Sequence, residues 1–489
     1  MEKNLADFLA SFNTAVELAQ QQRAASSDRQ RLRDALSDHL GLPAQDVPIV
    51  VESIPFHRFA DVDIAMEQIA AQDPESTLIG LGGGQQRQHL GLSDIVQEEG
   101  YGYIPVGQPD FVNIAVGPDS SREAVGLGVR LFSHGGVPVA VLQRKGDPQT
   151  GSPDVQLAVM AAERPAAAAV LAAVQEHLRV HSILRGQVIS LGFDPYGPGG
   201  AGVNFLQRPS LPRDKVILPD GVLERVRSHV LGIAGHRGRL QAAGQHLKRG
   251  VLLYGPPGTG KTHTVRHLLS ESPGTTAVLL TGAALGAISQ AASLARAMAP
   301  SLVVLEDIDL VAEDRSMGHG PQPLLFQVLD ALDGLDADAD IAFIMTTNRV
   351  DVLEPALAQR PGRVDLAVEI PLPGSADRVR LMELYAPAGV FSPGALAAVA
   401  EQADGATASF ARELVRRAIL AAAEAGEDPA DGHLLAAAAD LSGQREAMTR
   451  SLLGGTDPSA GFAANGAGPS SAGPSSAGPG PGWEYGPLR

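Results

Sequence analysis

One octapeptide, Gly255-Pro256-Pro257-Gly258-Thr259-Gly260-Lys261-Thr262, restricts the folds open to this chain more than any other feature. It fits G-x-x-x-x-G-K-[ST], a pattern that works only between a strand and a helix. Glycines let backbone N–H groups close around phosphate oxygens, and the helix N-terminus adds its partial positive charge. The flanks supply both elements: Val251–Tyr254 is an apolar run and His263–Leu269 opens a helical pattern. In such a loop Lys261 contacts the β- and γ-phosphates and Thr262 ligates a divalent cation. Strand and helix patterns then alternate to about residue 373, which predicts a parallel α/β sheet flanked by helices.

A second apolar strand, Leu302–Leu305, runs into Glu306-Asp307-Ile308-Asp309. Acidic groups at the end of a buried strand near a phosphate loop can hold a metal's water shell and polarise an attacking water. By itself the run would read equally well as a solvated acidic loop. The phosphate loop upstream favours the chemical role.

The run from about residue 250 to 373 resembles the ATPase module of the AAA branch of the AAA+ superfamily. Gly-Val-Leu-Leu-Tyr followed by the octapeptide matches that family almost letter for letter, and Ala299-Pro300-Ser301 matches before the acidic strand. Thr346-Thr347-Asn348-Arg349 resembles the sensor strand, which implies that Asn348 orients the lytic water. Leu353-Glu354-Pro355-Ala356-Leu357 and Arg360-Pro361-Gly362-Arg363-Val364-Asp365 resemble the second region of homology, which places arginine fingers at Arg360 and Arg363. The resemblance covers about 210 of 489 residues. It implies ATP as substrate, Mg²⁺ at Thr262 and Glu306, and Asp307 as general base. It also implies a homo-oligomer, a hexameric ring, in which the fingers reach nucleotide bound by the neighbouring subunit. His263 closes the set of nucleotide-contacting residues.

Three departures qualify this. The acidic pair runs Glu306 then Asp307, where the family has Asp then Glu. Aspartate is one methylene shorter, which suggests slow hydrolysis. Thr281–Ile288 stands where threading members carry an aromatic pore loop, yet it is shorter and holds no aromatic. Leu285-Gly286 could be a weak grip there, but a plain helix-capping turn is the better expectation. Gly405–Ser409 replaces a small-residue sensor-2 motif, and no sensor-2 arginine is implied there.

The rest of the chain is read from periodicity. Residues 1 to about 42 follow helical spacing. Val47–Ile54, Thr77–Leu81, Phe111–Val116 and Val137–Leu142 read as strands. Helices are expected at Val62–Ala71, Ser121–Ser133 and Pro165–Leu184, then a strand at Gln187–Gly192. These give an N-terminal α/β or α+β domain over 1–195 and a breaker-rich linker over 196–215. The family resemblance makes 216–375 an ATPase large subdomain and the helical stretch 376–447 its lid, and the Gly/Pro/Ser tail at 448–489 is expected to be disordered. His134-Gly135-Gly136 reads as a hairpin turn, and Gly80–Gly84 as a turn rather than a second phosphate loop. Arg208, Arg213, Lys215, Arg225 and Arg227 read as a solvated linker face, and Trp483–Tyr485 as either a docking peptide or a casual terminus.

Composition excludes several classes. With 55 acidic and 38 basic residues the chain carries a formal charge of −17, which repels nucleic acid. The absence of cysteine removes disulfides and thiolate metal sites. No H-E-x-x-H zinc-protease motif, no signal peptide at Met1–Leu5 and no apolar run of membrane-spanning length is present, so a cytoplasmic protein is expected. Two functions fit: an ATP-driven remodeller of a protein client, or a slow nucleotide-dependent switch or scaffold. A nucleic-acid motor ranks third.

Overall fold

The computed structural model describes residues 30–97, 104–146, 153–192, 202–309, 339–349 and 364–452. Arg360, Arg363, the first helical segment up to residue 29 and the Trp483–Tyr485 tail lie outside them. Two seven-stranded sheets organise the described chain.

The N-terminal sheet runs β1 (Ile49–Ile54), β7 (Val155–Ala161), β6 (Val137–Arg144), β5 (Ser120–His134), β2 (Thr77–Leu81), β3 (Val106–Gly107), with β4 (Asp110–Gly117) also on β5. Every pairing in it is antiparallel. Helices cover both faces. Helices α2 (Phe59–Ala70) and α4 (Arg164–Val180) pack on Phe132, Val139 and Val141. Helices α1 (Leu32–Leu40) and α3 (Leu92–Gln97) pack on Leu131, Ala140 and Leu142. Successive strand residues face opposite layers, so both alternating sets must be apolar. That explains why these strands read as continuous apolar runs.

The stretch 121–133, expected as a helix, is instead the long strand β5. Leu127, Val129 and Leu131 face one core and Ala124 and Phe132 the other, a period of two. Gly126 and Gly128 weigh against a helix interior. Strands β4, β6 and β2 all pair with it, so tertiary pairing decides the outcome. Strand β7 was not expected. His134 and Val137 pair across a two-residue Gly135-Gly136 turn, as the hairpin expectation had it.

The C-terminal sheet runs β14 (Leu366–Glu369), β10 (Arg249–Tyr254), β13 (Ile341–Thr347), β12 (Ser301–Glu306), β11 (Thr276–Thr281), β8 (Val188–Leu191), β9 (Val203–Leu206). All neighbours are parallel except β9, which returns antiparallel to β8. Strands β8 and β9 therefore belong to this sheet, and the expected boundary at 195 and linker at 196–215 divide a hairpin that completes it. Helices α5 (Val222–Arg227) and α6 (Lys261–Ser270) cover one face. Helix α7 (Ile288–Ala297) covers the other.

The expected solvated face around Arg208 is likewise corrected. Its guanidinium donates to the carbonyls of Leu269, Ser272, Gly186 and Thr275, which pins the chain after β9 to the end of α6. Arg185 joins the two halves by donating to Arg179 O on one side and to Ala297 O and Ala299 O on the other.

Residues 282–287 form a 3₁₀ turn leading into α7, and Leu285 is fully buried in the core. A buried leucine offers no grip, so the plain capping turn is what the chain builds. Four helices follow: α8 (Ser375–Tyr385), α9 (Pro393–Gln402), α10 (Ala408–Ala425) and α11 (Asp431–Leu452). They share their own core around Leu414, Val415 and Leu434. Helix α11 runs past the expected end of the lid at 447.

Candidate nucleotide-binding site

Strand β10 delivers the chain into the loop at Tyr254. Gly255 has φ +143°, and a Cβ there would lie 2.2 Å from Ile370 O, so only glycine fits beside β14. Thr259 Oγ1 donates to Pro256 O at 2.9 Å and holds the loop closed. Lys261 Nζ donates to Gly255 O and Pro256 O, both at 2.8 Å. Two of its three donors are thus used within the loop. Burial pulls the Lys261 pKa down, while Asp307 and Asp309 act against that. The first turn of α6 carries no acidic residue, so nothing of its own offsets the positive end of the helix.

The second half of the site comes from β12 and β13. Asp307 follows β12 with φ +53°, the one non-glycine residue with positive φ among the described residues. Aspartate tolerates this left-handed region better than most residues, but the position still costs about 1–3 kcal/mol. Three bonds hold it there. Asp307 N donates to Thr346 Oγ1 at 3.0 Å, Ile308 N donates to Thr346 O at 3.0 Å, and Asn348 Nδ2 donates to Asp307 Oδ1 at 3.3 Å. The buried Asp309 carboxylate accepts from Thr347 Oγ1 at 3.0 Å and from Asn348 N at 3.1 Å. It therefore sets the angle at which Asn348 meets Asp307, a role that its place in the acidic run did not reveal.

Glu306 accepts a hydrogen bond from the Thr262 hydroxyl, and burial together with the Asp307 carboxylate pushes its pKa up. A hydroxyl and a crowded carboxylate in contact form a hard oxygen donor set of the kind Mg²⁺ takes. The residues present fit that ion.

These pieces meet in a cavity of about 300 Å³. Its wall takes in Pro257 to His263, Asp307 and Asn348. Gly255, Pro256 and Glu306 act from behind it through Lys261 and Thr262. His263 has its pKa lowered by burial and then by Arg266 and Arg412, which keeps the ring neutral near pH 7. The opposite wall was not foreseen. It comes from Lys215–Leu218 and from the lid residues Leu381, Tyr385, Ala408, Ser409 and Arg412. The lid touches the loop directly: Ser409 N donates to Gly258 O at 3.1 Å. A sequence signal for part of this existed, because Arg412 lies one helical turn beyond Ser409.

The family described as ATPase family associated with various cellular activities (AAA) matches residues 251–372. Among curated proteins, the 26S proteasome regulatory subunit 10B of Dictyostelium discoideum is 35% identical over 195 residues, covering 37% of this chain and 49% of that protein. The ATP-dependent zinc metalloprotease FtsH of Acidothermus cellulolyticus is 32% identical over 251 residues, 48% of this chain and 37% of its own length. The 26S protease regulatory subunit 6A of Caenorhabditis elegans is 32% identical over 163 residues, covering 31% of this chain and 38% of that protein. The chain thus spans less than half the length of these curated relatives. No helix among the described residues is long and apolar enough to cross a membrane.

Proposed function

We propose that this chain, which belongs to the AAA-type ATPases through its domain at residues 251–372, hydrolyses ATP to ADP and phosphate and spends that energy on remodelling protein complexes. The observation that carries this is the Asp307–Asn348 pair on the same cavity wall as Lys261. Asp307 is the base that takes a proton from the attacking water, and the Asn348 amide orients both. Lys261 and the N–H groups of the loop neutralise the phosphates. Thr262 and Glu306 hold Mg²⁺, which supplies further charge neutralisation when bound.

Arg360 and Arg363 are proposed as trans-acting fingers in a homo-oligomeric ring, a hexamer. Relatives named as regulatory subunits of the 26S proteasome and as FtsH support work on proteins. The N-terminal sheet is then the part that engages a client. The test is steady-state ATP turnover with nucleotide binding measured alongside. Asp307→Asn should cut turnover about a hundredfold or more while binding persists. Arg363→Ala should abolish turnover at unchanged affinity. An Asp307→Asn protein with wild-type turnover would show the base to be misassigned.

A second reading is a slow nucleotide-dependent switch or scaffold. The burial of Leu285 in a plain turn favours it, because a chain without an exposed grip is poorly made for threading. Turnover well above one per minute that rises with a client would decide for the remodeller.

A further inference from the structure

Strand β1 is an outer strand of the N-terminal sheet. It pairs with β7 on one side, and among the described residues no strand pairs with the other. Such an edge offers a row of backbone N–H and C=O groups to any chain that can lie beside it. The sheet's other outer strands are short or covered. At the far end β3 has two residues, and Pro105 just before it bridges to Arg31. Strand β4 lies beside β9. Strand β1 runs six residues, Ile49-Val50-Val51-Glu52-Ser53-Ile54, and Val51 is 57% exposed. It carries no lysine or proline, and its one charged side chain, Glu52, accepts from Gln175 Nε2.

This edge runs into a cavity of about 590 Å³ between the end of β1 and helices α4 and α7. Pro55 and Leu178 wall it from the N-terminal half, and Leu294 and Ala297 from the other. Its charged side chains offset one another: Glu176 and Arg179 pair at 2.6 Å. Burial, and then Arg58, lower the His57 pKa to about 4, so that ring is neutral as well. An uncharged, largely apolar hollow of this size has room for apolar side chains. The free edge calls for a main chain and the hollow for a side chain, and an extended peptide brings both.

We propose that an extended segment of a client protein, rich in uncharged β-branched residues, adds to β1 as a further strand and places an apolar side chain in the cavity between α4 and α7. This rests on the reading of the N-terminal half as the part that engages a client. Main-chain pairing supplies the affinity and one apolar anchor the register, so many sequences qualify. Helix α7 is one wall of the cavity, and Arg185 holds Ala297 O and Ala299 O at its end. A bound segment therefore touches a helix of the ATPase sheet directly. A second copy of this chain suits the edge less well, because pairing β1 with β1 brings two Glu52 carboxylates to one seam.

The test uses the full-length protein and a fluorescein-labelled peptide of alternating valine and threonine, with one leucine and a lysine at each end, followed by anisotropy. Two further peptides carry N-methyl groups on alternate residues, one on each edge of the strand. Wild type should bind the parent and one methylated form and lose the other by about tenfold or more, since only one edge of an added strand pairs. Ala172→Trp, at an exposed position on the cavity wall, should weaken the parent about tenfold, the worth of burying one apolar side chain. The strand site is overturned if wild type binds no peptide, if both methylated forms bind alike, or if Ala172→Trp binds like wild type. It is also overturned if the protein alone forms an assembly that Ala172→Trp dissolves, which would put a second copy on the edge. ATP turnover measured alongside separates this from the remodelling function. Peptide binding with the methylation pattern but unchanged turnover would leave the strand site standing and remove the remodeller.

Discussion

The two sheets have equal strand counts and opposite consequences. In the N-terminal sheet every neighbour is antiparallel, so successive strand ends alternate between the two edges. Along β4, β5, β6 and β7 the neighbours are consecutive hairpins, as at Gly135-Gly136, so residues brought together at one edge there are close in sequence. In the C-terminal sheet β10, β12 and β13 are parallel and adjacent. Their carboxyl ends coincide at one edge, and Gly255, Asp307 and Asn348 meet there although they are far apart along the chain. Ligands bind outside the carboxyl ends of parallel strands for this reason. The antiparallel sheet instead buries its polar chemistry. The Asp63 carboxylate accepts from Val125 N and Gln143 Nε2, both at 3.0 Å, and from Arg122 at 3.0 Å, a network that fastens α2 to β5 and β6.

If function lives on one sheet and bulk stability is shared by both, variants should separate the two. The largest effect on binding is expected at Lys261. Lys261→Ala should lower nucleotide affinity roughly a hundredfold, since it removes a buried cation from the phosphate site. Titration with a fluorescent nucleotide checks this, and urea unfolding of the N-terminal sheet should stay put.

Phe132→Ala reverses the pattern. It empties a fully buried position between β5 and the helices α2 and α4, at a cost of about 3–5 kcal/mol. The N-terminal half should unfold at lower urea while nucleotide binding persists. Equal loss of binding would mean that the Arg185 joint makes the halves one cooperative unit.

Gly258→Ala probes the contact between loop and lid. The glycine has φ +76°, and a Cβ there would meet Ser409 Oγ at 3.0 Å and Thr407 Oγ1 at 3.2 Å. A cost of about 1–2 kcal/mol is expected from the left-handed backbone alone. Thermal unfolding with and without ADP measures it, and the ADP-bound protein should lose more, because the new methyl pushes the lid off the loop.

The smallest effect is one of sign. Glu306 holds its proton more tightly in the fold than in the unfolded chain. The stability it contributes is present below its unfolded pKa and is lost as pH rises through the raised folded value. Glu306→Gln should therefore raise the Tm of the nucleotide-free protein at neutral pH, and the gain should disappear in acid. A lower Tm at neutral pH would show that burial and the Asp307 carboxylate do not penalise the Glu306 charge.

The loop at Gly255–Thr262, the strand before it and the helix after it were legible because the requirement is local. Phosphate binding needs those residue types consecutively. Glu306 and Asp307 were legible for a related reason, since they end and follow an apolar strand, whereas Asn348 was legible only through the family resemblance of Thr346–Arg349. Local pattern misled where strand pairing decided the outcome. Residues 121–133 look helical until β4, β6 and β2 pair with them, and β8 was assigned to the wrong half because its partner β11 comes far later in the chain.

By itself the sequence determined a parallel sheet with a phosphate loop and an acidic strand end, because those depend on neighbours along the chain. Only the tertiary structure decided that Asp309 orients Asn348, that Leu285 is core, and that Tyr385 and Arg412 form the far wall of the cavity. These depend on which faces of separate elements meet, and that follows from the packing of the whole.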